Sequence, residues 1–417
     1  MRIGLVHPAL DIKGGAENVV VWLAGGLARR GHDVTVLTSS IDRSLFGDSP
    51  LNFEVIELKN HGYELSWSGM RRAAHQLQPL LSRFDVINPH NFPANFWTYW
   101  ALPSRQIPVV WFCQEPLRSL YRPPLDPHVR QLVERRVRPG YAVRVFQHWR
   151  SQGGRGLVRS AYRRTVLRRV KSLDGTIARS QDLILTNSAF VADQVRLLFG
   201  VQAEVCRLGI PIAENSVPVG TDRAADFELL TVSRLKLEKN VETILLAVAR
   251  LPQEWRKRLR LTIVGAGPEY EALLALREHL DLGRNVVLTG AVSDEELDVH
   301  YRRCDAVVYL TLDETFGLVF PEAAARSKPS IAPDHGGPTE FVEHGRTGLL
   351  VDALDPEAVA RGIIDLLRDR GRLVQMGDAA LAKVKKDYTV DAMVDRYLGL
   401  LERMVRSKAG QPFSAPK

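Results

Sequence analysis

The sequence predicts an α/β protein built from two doubly wound parallel sheets, each covered by helices on both faces. Three observations carry that expectation. Apolar runs of about four to eight residues recur, each followed by a turn and a helical pattern, as in βαβ units. The alternation breaks at the Pro- and Gly-bearing stretch VCRLGIPIAENSVPVG (205–220) and restarts at FELLTVSRL (227–235). The 417 residues also suffice for two domains of roughly 200 residues, each able to bury a core. The expected domains are residues 1–212 and 213–385, with a C-terminal helix and flexible tail over 386–417.

Composition narrows the class. With 45% hydrophobic and 25% charged residues the chain reads as a soluble globular protein. It lacks a run of ~18 uncharged apolar residues, so no transmembrane helix is expected. Met1 leads directly into RIGLVHP without a signal-peptide layout. Cys113, Cys206 and Cys304 show no C-x-x-C spacing, which points to a reducing compartment, with neither a disulfide framework nor a zinc site. A cytoplasmic location is expected. Residues 1–213 hold 28 Lys+Arg against 16 Asp+Glu, whereas the remainder holds 28 against 32. A basic first half favours phosphates, anionic lipid or nucleic acid without choosing among them.

Taken in order, RIGLVHPAL (2–10) is the first strand, DIKGGAENVVVWLAGGLARRG a loop and helix, and HDVTVLTSS (32–40) the second strand. Gly14 and Gly15 precede a helix N-terminus, where the backbone can approach a diphosphate; on the residues alone a plain tight turn is the better account of them. FDVINPHNFPANFW (84–97) reads as a strand entering a polar, Pro-punctuated loop that carries His90. VVWFCQEPLRSLY (109–121) is another strand-to-loop segment, in which Glu115 and Arg118 suit contacts to hydroxyls or a phosphate, or pair with each other. Between Arg130 and Lys171 there are 13 basic residues and one acid, Glu134. GLVRSAYRRTVLRRVKSL (156–173) sets an apolar stripe against a basic face, the pattern of a helix lying on an anionic membrane, and also of an ordinary surface helix. No nucleic-acid-binding module is present, and the basic stretch lacks a stacking platform. DLILTNSAFVADQV (182–195) gives a strand and helix with Ser188 as N-cap.

The second half repeats the scheme. Arg234 and Lys239 lie in the loop after the strand FELLTV, where two cations five apart suit a diphosphate leaving group or mere surface charge. LTIVGAGPEYEAL (261–273) is strand, Gly-rich turn and helix, with Gly265 placed for base or ribose contacts. VVLTGAVSDEELDVHY (286–301) follows, with Val292 before a capping box formed by Ser293 and Glu296. DAVVYLTL (305–312) reads as a buried strand, Pro321 as the first position of a helix, and Gly317 as part of the loop between them. Free N–H groups and a helix dipole there favour a phosphate or sugar oxygen. Glu314 and Glu322 flank this loop. Carboxylates repel phosphate but accept hydrogen bonds from hydroxyls, such as those on the ribose and hexose of a nucleotide sugar. A helix-dipole role for Glu322 and a solvated Glu314 explain the residues alone equally well.

E-x7-E around FGL, with EA following, resembles the signature of the family 4 retaining glycosyltransferases of GT-B fold. S-R-L-x-x-x-K-N at 233–240, GGAE at 14–17, His90 after D-V-I, and the GG-x-x-E and G-x-x-G-x-L-V strings of 329–352 resemble the family's other motifs. The family implies two Rossmann-like domains with a crevice between them, and the helix TVDAMVDRYLGLLERMV (389–405) resembles the segment that crosses back to the first domain. It implies that Arg234 and Lys239 hold the donor phosphates, Glu322 the ribose diol and Glu314 the hexose hydroxyls. It further implies contacts from the N–H groups of Phe316, Gly317 and Leu318, from Val292 near the base, from Gly15 at the phosphate and from His90 at the transferred sugar. One departure stands out: many relatives carry a His before T-P-x-R where this chain has Gln114-Glu115-Pro116-Leu117-Arg118, which leaves acceptor handling by a histidine there unsupported.

No D-x-D occurs, so no metal or other cofactor is expected, and the cations with the helix N-terminus would neutralise the diphosphate. The expected reaction is retaining transfer of a hexose, mannose from GDP-mannose by resemblance to bacterial surface-polysaccharide transferases, to a glycan or lipid-linked glycan acceptor at the inner membrane face. The alternatives are a UDP-sugar-dependent transferase with a soluble acceptor, and a 2-epimerase-like isomerase on the same fold. A phosphorylase would need a pyridoxal-phosphate lysine motif, which is not found. A non-catalytic nucleotide-sugar binder is opposed by the intact set Arg234, Lys239, Glu314 and Glu322.

Overall fold

Two sheets of the same winding organise the protein. The computed structural model describes residues 1–12, 14–46, 51–58, 66–102, 107–117, 121, 157–212 and 227–408, with only the backbone for 157–167. These residues fall into two compact units, one drawn from Met1–Leu125, Gly154–Pro211 and Asp387–Lys417, the other from Ile212–Lys386.

In the first unit, β1 (Arg2–His7), β2 (Asp33–Thr38), β3 (Glu54–Glu57) and β4 (Val86–Pro89) pair in parallel in the order β3-β2-β1-β4. β5 (Val110–Cys113), β6 (Leu183–Thr186) and β7 (Glu204–Val205) form a second parallel set, joined to β4 by bridges at Ile87–Val109 and His90–Phe112. The order reverses between β1 and β4. In open α/β sheets that switch point, at the strand C-termini, is where ligands bind. His7, closing β1, and His90, following β4, lie there with ring centroids 6.5 Å apart.

The helices follow the strands as the sequence implies. α1 (Gly15–Arg29) starts after Gly14; α2 (Trp67–Leu77) is capped by Ser66, whose hydroxyl accepts from the Gly69 N–H. α3 (Asn91–Ala101) corrects one expectation: 84–97 is not a strand and loop but a strand running straight into a helix. Pro93 is its third residue, where a helix needs no N–H donor, and Phe92 before it keeps the extended ψ of 140° that a following proline favours. Phe96 and Trp97 then fill the core. α4 (Leu157–Arg179) confirms a helix across most of the basic 156–173 segment; the side chains through 167, and residues 130–156, lie outside the described set. α5 (Ala189–Phe199) is capped by Ser188, as expected.

In the second unit, β8 (Phe227–Val232), α6 (Val241–Arg250), the short α7 (Gln253–Arg256), β9 (Leu259–Val264), α8 (Tyr270–His279), β10 (Val286–Gly290), α9 (Asp294–Arg303) and β11 (Ala306–Val308) come in sequence. α9 carries the predicted Ser293–Glu296 capping box. α10 (Val319–Ala324), β12 (Ser330–Pro333), α11 (Pro338–Phe341), β13 (Gly348–Val351), α12 (Pro356–Arg368) and α13 (Arg370–Asp387) complete it. The sheet order is β10-β9-β8-β11-β12-β13, all parallel, with the reversal between β8 and β11. Leu229, Ile263, Val308 and Ile331 from the strands pack with Ile244, Val248, Ile363 and Leu366 from the helices, all essentially buried.

α14 (Val390–Lys408) belongs to the first unit, with α1 and β4. Backbone bonds tie its entry to the end of the 205–212 segment: Ile210 N–H to Tyr388 O at 2.9 Å and Val390 N–H to Ile210 O at 3.2 Å. Gly209 makes this approach possible, because a Cβ there would lie 2.0 Å from Thr389 O. Arg30 at the end of α1 pairs with Asp391 at 3.5 Å and with Asp395. Residues 213–226, the rest of the expected linker, lie outside the described set.

Candidate active site

The loops after β8 and β11 meet at the second unit's switch point. Leu312 N–H donates to Glu238 O at 2.9 Å, and Asn240 Nδ2 donates to Leu310 O at 3.0 Å and to Ala353 O at 2.7 Å. Asn240 is buried, in the left-handed region at φ 55°, and caps the start of α6. Such a residue, held by its own amide, fixes the position of its neighbour Lys239.

Lys239 and Glu314, read separately from the sequence, form one cluster. Lys239 Nζ donates to Glu314 Oε2 at 2.9 Å and to Tyr309 Oη at 2.8 Å, and Tyr309 Oη donates to the same Oε2 at 2.8 Å. The two charged side chains are 18% and 14% exposed, so they are shielded yet reachable. Burial works against the lysine charge, but the Glu314 carboxylate and the Tyr309 hydroxyl outweigh it and raise the ammonium pKa. Burial and the charge of Glu314 raise Tyr309, which therefore stays protonated and donates. The Tyr309 ring meets Phe320 edge-on at 5.6 Å. Lys239 keeps a third N–H that has no partner among the described residues.

The loop 313–318 is shaped by two glycines. Gly317 has φ +86°, and a Cβ there would lie 2.7 Å from the Phe320 ring. Gly337 in the loop after β12 donates its N–H to Glu314 O at 3.0 Å, and a Cβ on it would lie 2.1 Å from Thr315 O. The GG-x-x-E string therefore supports the backbone of Glu314. α10 begins at Val319 rather than at Pro321, which is its third residue. The N–H groups of Gly317 and Leu318 make no hydrogen bond among the described residues; Phe316 is buried.

Glu322 sits half-buried in α10 and belongs to a different network. Tyr301 Oη donates to its Oε2 at 2.7 Å, and Arg326 Nη1 donates to its backbone oxygen at 2.9 Å. Arg326 also pairs with Asp298 and lies over the Tyr301 ring at 5.1 Å. Burial raises the Glu322 carboxyl; the Tyr301 bond and Arg326 pull the other way. Its Oε1 has no protein donor among the described residues.

Arg234 is exposed and makes no ion pair among the described residues. It does not share the Lys239 cluster. Gly265, at φ +137°, would place a Cβ 1.8 Å from Ser233 O, so this glycine lets the turn after β9 lie against the loop bearing Arg234. Leu235 N–H to Ala266 O at 2.9 Å and Glu269 N–H to Leu235 O at 3.0 Å close that contact. Val292 is half-buried beyond β10.

In the first unit Gly15 is exposed at the first position of α1. His90 is fully buried, its Nε2 3.1 Å from Asn88 Oδ1 and its Nδ1 without a partner among the described residues. Glu115 is half-buried and acts electrostatically on the buried Cys113 thiol. Arg118 lies outside the described residues.

Residues 13–214 match the sequence profile described as Glycosyltransferase Family 4, and residues 218–383 match Glycosyl transferases group 1. The glycogen synthase of Mycobacterium tuberculosis is 31% identical over 417 residues, covering 93% of this chain and 91% of that protein. The chain belongs to glycosyltransferase family 4. A GDP-mannose-dependent alpha-(1-6)-phosphatidylinositol monomannoside mannosyltransferase of the same organism is 31% identical over 260 residues, covering 57% of this chain. The matched region spans 64% of that mannosyltransferase's length. The O-antigen chain mannosyltransferase C of Escherichia coli is 23% identical over 405 residues, covering 96% of this chain and 97% of that one. Among solved structures, the sucrose-phosphate synthase of Thermosynechococcus elongatus superposes with a TM-score of 0.72 at 18% identity, covering 98% of this chain and 100% of that one. Anabaena HepE in complex with UDP-glucose gives 0.72 at 18%, covering 97% and 100%. These likenesses establish the GT-B fold.

Sequence motifs named Lys239, Glu314 and Glu322 but missed the tyrosines that hold them. Tyr309 lay unmarked inside DAVVYLTL and Tyr301 at the end of DEELDVHY, each the one tyrosine in its segment. Among the described residues, no group of three or more His, Cys, Asp or Glu is placed to hold a metal ion, and no helix is long and apolar enough to cross a membrane.

Proposed function

We propose that this family 4 protein transfers a hexose, with retention of anomeric configuration, from a nucleotide sugar to a glycan or lipid-linked glycan acceptor. The observation that carries the reading is the Lys239–Tyr309–Glu314 cluster at the switch point: a cation for a diphosphate and a carboxylate for sugar hydroxyls in one hydrogen-bonded unit. The third N–H of Lys239 and the exposed charge of Arg234 offset the negative charge that develops on the leaving diphosphate. Glu314 holds hexose hydroxyls. Glu322, oriented by Tyr301, offers its remaining oxygen to the ribose diol. The N–H groups at 316–318 contact sugar or phosphate, and Gly265 and Val292 lie near the base. Gly15 and His90 are assigned to the donor phosphate and the transferred sugar, Glu115 and Arg118 to the acceptor. The basic amphipathic stretch 156–173 is assigned to an anionic membrane surface. Metal-free binding is part of the proposal, with the two cations supplying the positive charge.

Mannose from GDP-mannose is the proposed donor, supported by the names of the mycobacterial and Escherichia coli mannosyltransferases. Thermal-shift measurements against GDP, UDP, ADP and their sugar conjugates, with EDTA present, test it. A ligand at a hundredfold its Kd adds about 2.7 kcal/mol to native stability. A shift confined to guanine nucleotides is the expected result. A shift confined to uridine nucleotides, as in the UDP complexes of HepE, replaces the donor; shifts seen only after Mg²⁺ is restored end the metal-free proposal.

Tyr309→Phe tests the cluster more gently. The ring keeps its packing on Phe320 while the hydroxyl that both receives from Lys239 and donates to Glu314 is lost. A neutral hydrogen bond is worth about 1 kcal/mol, so kcat should fall roughly threefold to tenfold in steady-state assays. An unchanged kcat would show that the hydroxyl does not orient Glu314.

A further inference from the structure

His90 is held by a chain of hydrogen bonds that begins on the C-terminal helix. Asn88 in β4 is fully buried, and its Nδ2 donates to Val110 O. A carbonyl oxygen only accepts, so the amide nitrogen must face Val110 and Oδ1 must face the opposite side. There Oδ1 accepts from Tyr397 Oη of α14 at 2.9 Å and lies 3.1 Å from His90 Nε2. Because Oδ1 also only accepts, Nε2 carries the hydrogen. The other nitrogen of the neutral ring is then an acceptor. That atom, Nδ1, is buried and without a partner among the described residues. A ring acceptor with no protein donor can take its hydrogen bond from a ligand hydroxyl or from water.

The surroundings agree. Burial and the nearby His7 hold His90 well below its usual pKa, so the ring is neutral. His7 Nδ1 is engaged with Ala9 O at 2.9 Å, and the Phe112 ring lies 5.1 Å from that of His90. Neither supplies a donor to Nδ1. α14 is also anchored to the 207–209 segment, by the Met393 Sδ contact from Gly209 N–H at 3.4 Å and the bond from Arg396 Nη1 to Arg207 O at 3.1 Å.

We infer that Asn88 and Tyr397 are positioning residues that fix His90 as its Nε2–H tautomer and present Nδ1 as an acceptor for a sugar hydroxyl. The catalytic part of this inference rests on the proposed transferase role of His90; the tautomer does not. His90 thereby accepts a hydrogen bond and neither donates a proton nor opposes diphosphate charge as an imidazolium. The C-terminal helix is a working part of the site, through one hydroxyl.

Two measurements on the full chain test this. In ¹⁵N-histidine-labelled protein, with His90 assigned by difference from His90→Gln, two-bond ¹H–¹⁵N correlations should show a protonated Nε2 and an unprotonated Nδ1 at neutral pH. An Nδ1–H ring or an imidazolium would overturn the inference. In Asn88→Ala the same spectra should show a mixture of tautomers, and an unchanged pattern would remove Asn88 from the role. For Tyr397→Phe, which keeps the ring, kcat should fall about threefold to tenfold with little change in donor KM, the effect of one lost hydrogen bond. In a His90→Gln background the same substitution should cost nothing further. An equal loss in both backgrounds means that Tyr397 acts only on the fold. If His90→Gln alone keeps full activity, the transferase role of His90 fails while the spectra still decide the tautomer.

Discussion

Glu314→Gln is expected to slow turnover by about a hundredfold or more while leaving the protein folded. Glutamine fills the same volume and can still accept from Tyr309, so the loop 313–318, tied at its backbone by Gly337, keeps its shape. What is lost is the negative charge at an oxygen that receives both Lys239 and Tyr309. Hexose hydroxyls that would donate to a carboxylate meet an amide whose nitrogen donates instead. Lys239, freed of its counter-charge, also holds the donor phosphates more tightly in the ground state, which favours donor binding without helping the transition state. The expected signature is therefore a large fall in kcat with donor KM unchanged or lowered. Steady-state kinetics on the donor identified by thermal shift, with circular dichroism melting as the fold control, reads both quantities. A kcat within a few fold of wild type would remove Glu314 from catalysis.

What could be read in advance divides by the range over which each feature is determined. The caps at Ser188 and Ser293 are bonds between residues three apart, and both were legible. The strands around β8 and β11 were legible because their apolar runs are buried on both faces, as parallel sheets require. Pro93 and Pro321 misled in opposite directions, one read as part of a loop and the other as a helix start. Each is the third residue of its helix, where the N–H is unused and proline costs little. Punctuation by proline thus marks the first turn without giving its first residue. The site shows the same division. Motifs placed Lys239 and Glu314 correctly in loops after strands, but their pairing spans 75 positions and depends on Asn240 tying one loop to the other. Tyr397 and Asn88 are 309 positions apart, and nothing local marks either. Long-range polar partners are set by the packing of elements.

Lys239→Met separates binding from stability in that pairing. Methionine follows the path of the lysine stem but supplies no charge, so Glu314 is left half-shielded with Tyr309 as its remaining donor in the cluster. Breaking a fully buried pair costs about 3–5 kcal/mol, and the 14–18% exposure of these side chains lowers that to about 2 kcal/mol. A charged hydrogen bond to phosphate is worth about 1.5–3 kcal/mol, so nucleoside diphosphate affinity should fall roughly tenfold to a hundredfold. The decisive comparison is the double variant Lys239→Met with Glu314→Gln. Removing both charges leaves no orphaned ion, so denaturant melts should show stability returning towards wild type. Nucleotide affinity, measured by calorimetry, should stay low, because the cation for the phosphates is absent. Recovery of both would mean that Lys239 exists only to neutralise Glu314. Recovery of neither would mean that the methionine disturbs the loop held by Asn240, and a Lys239→Gln variant, polar and of similar length, would then have to show the affinity loss without the stability loss for the phosphate role to stand.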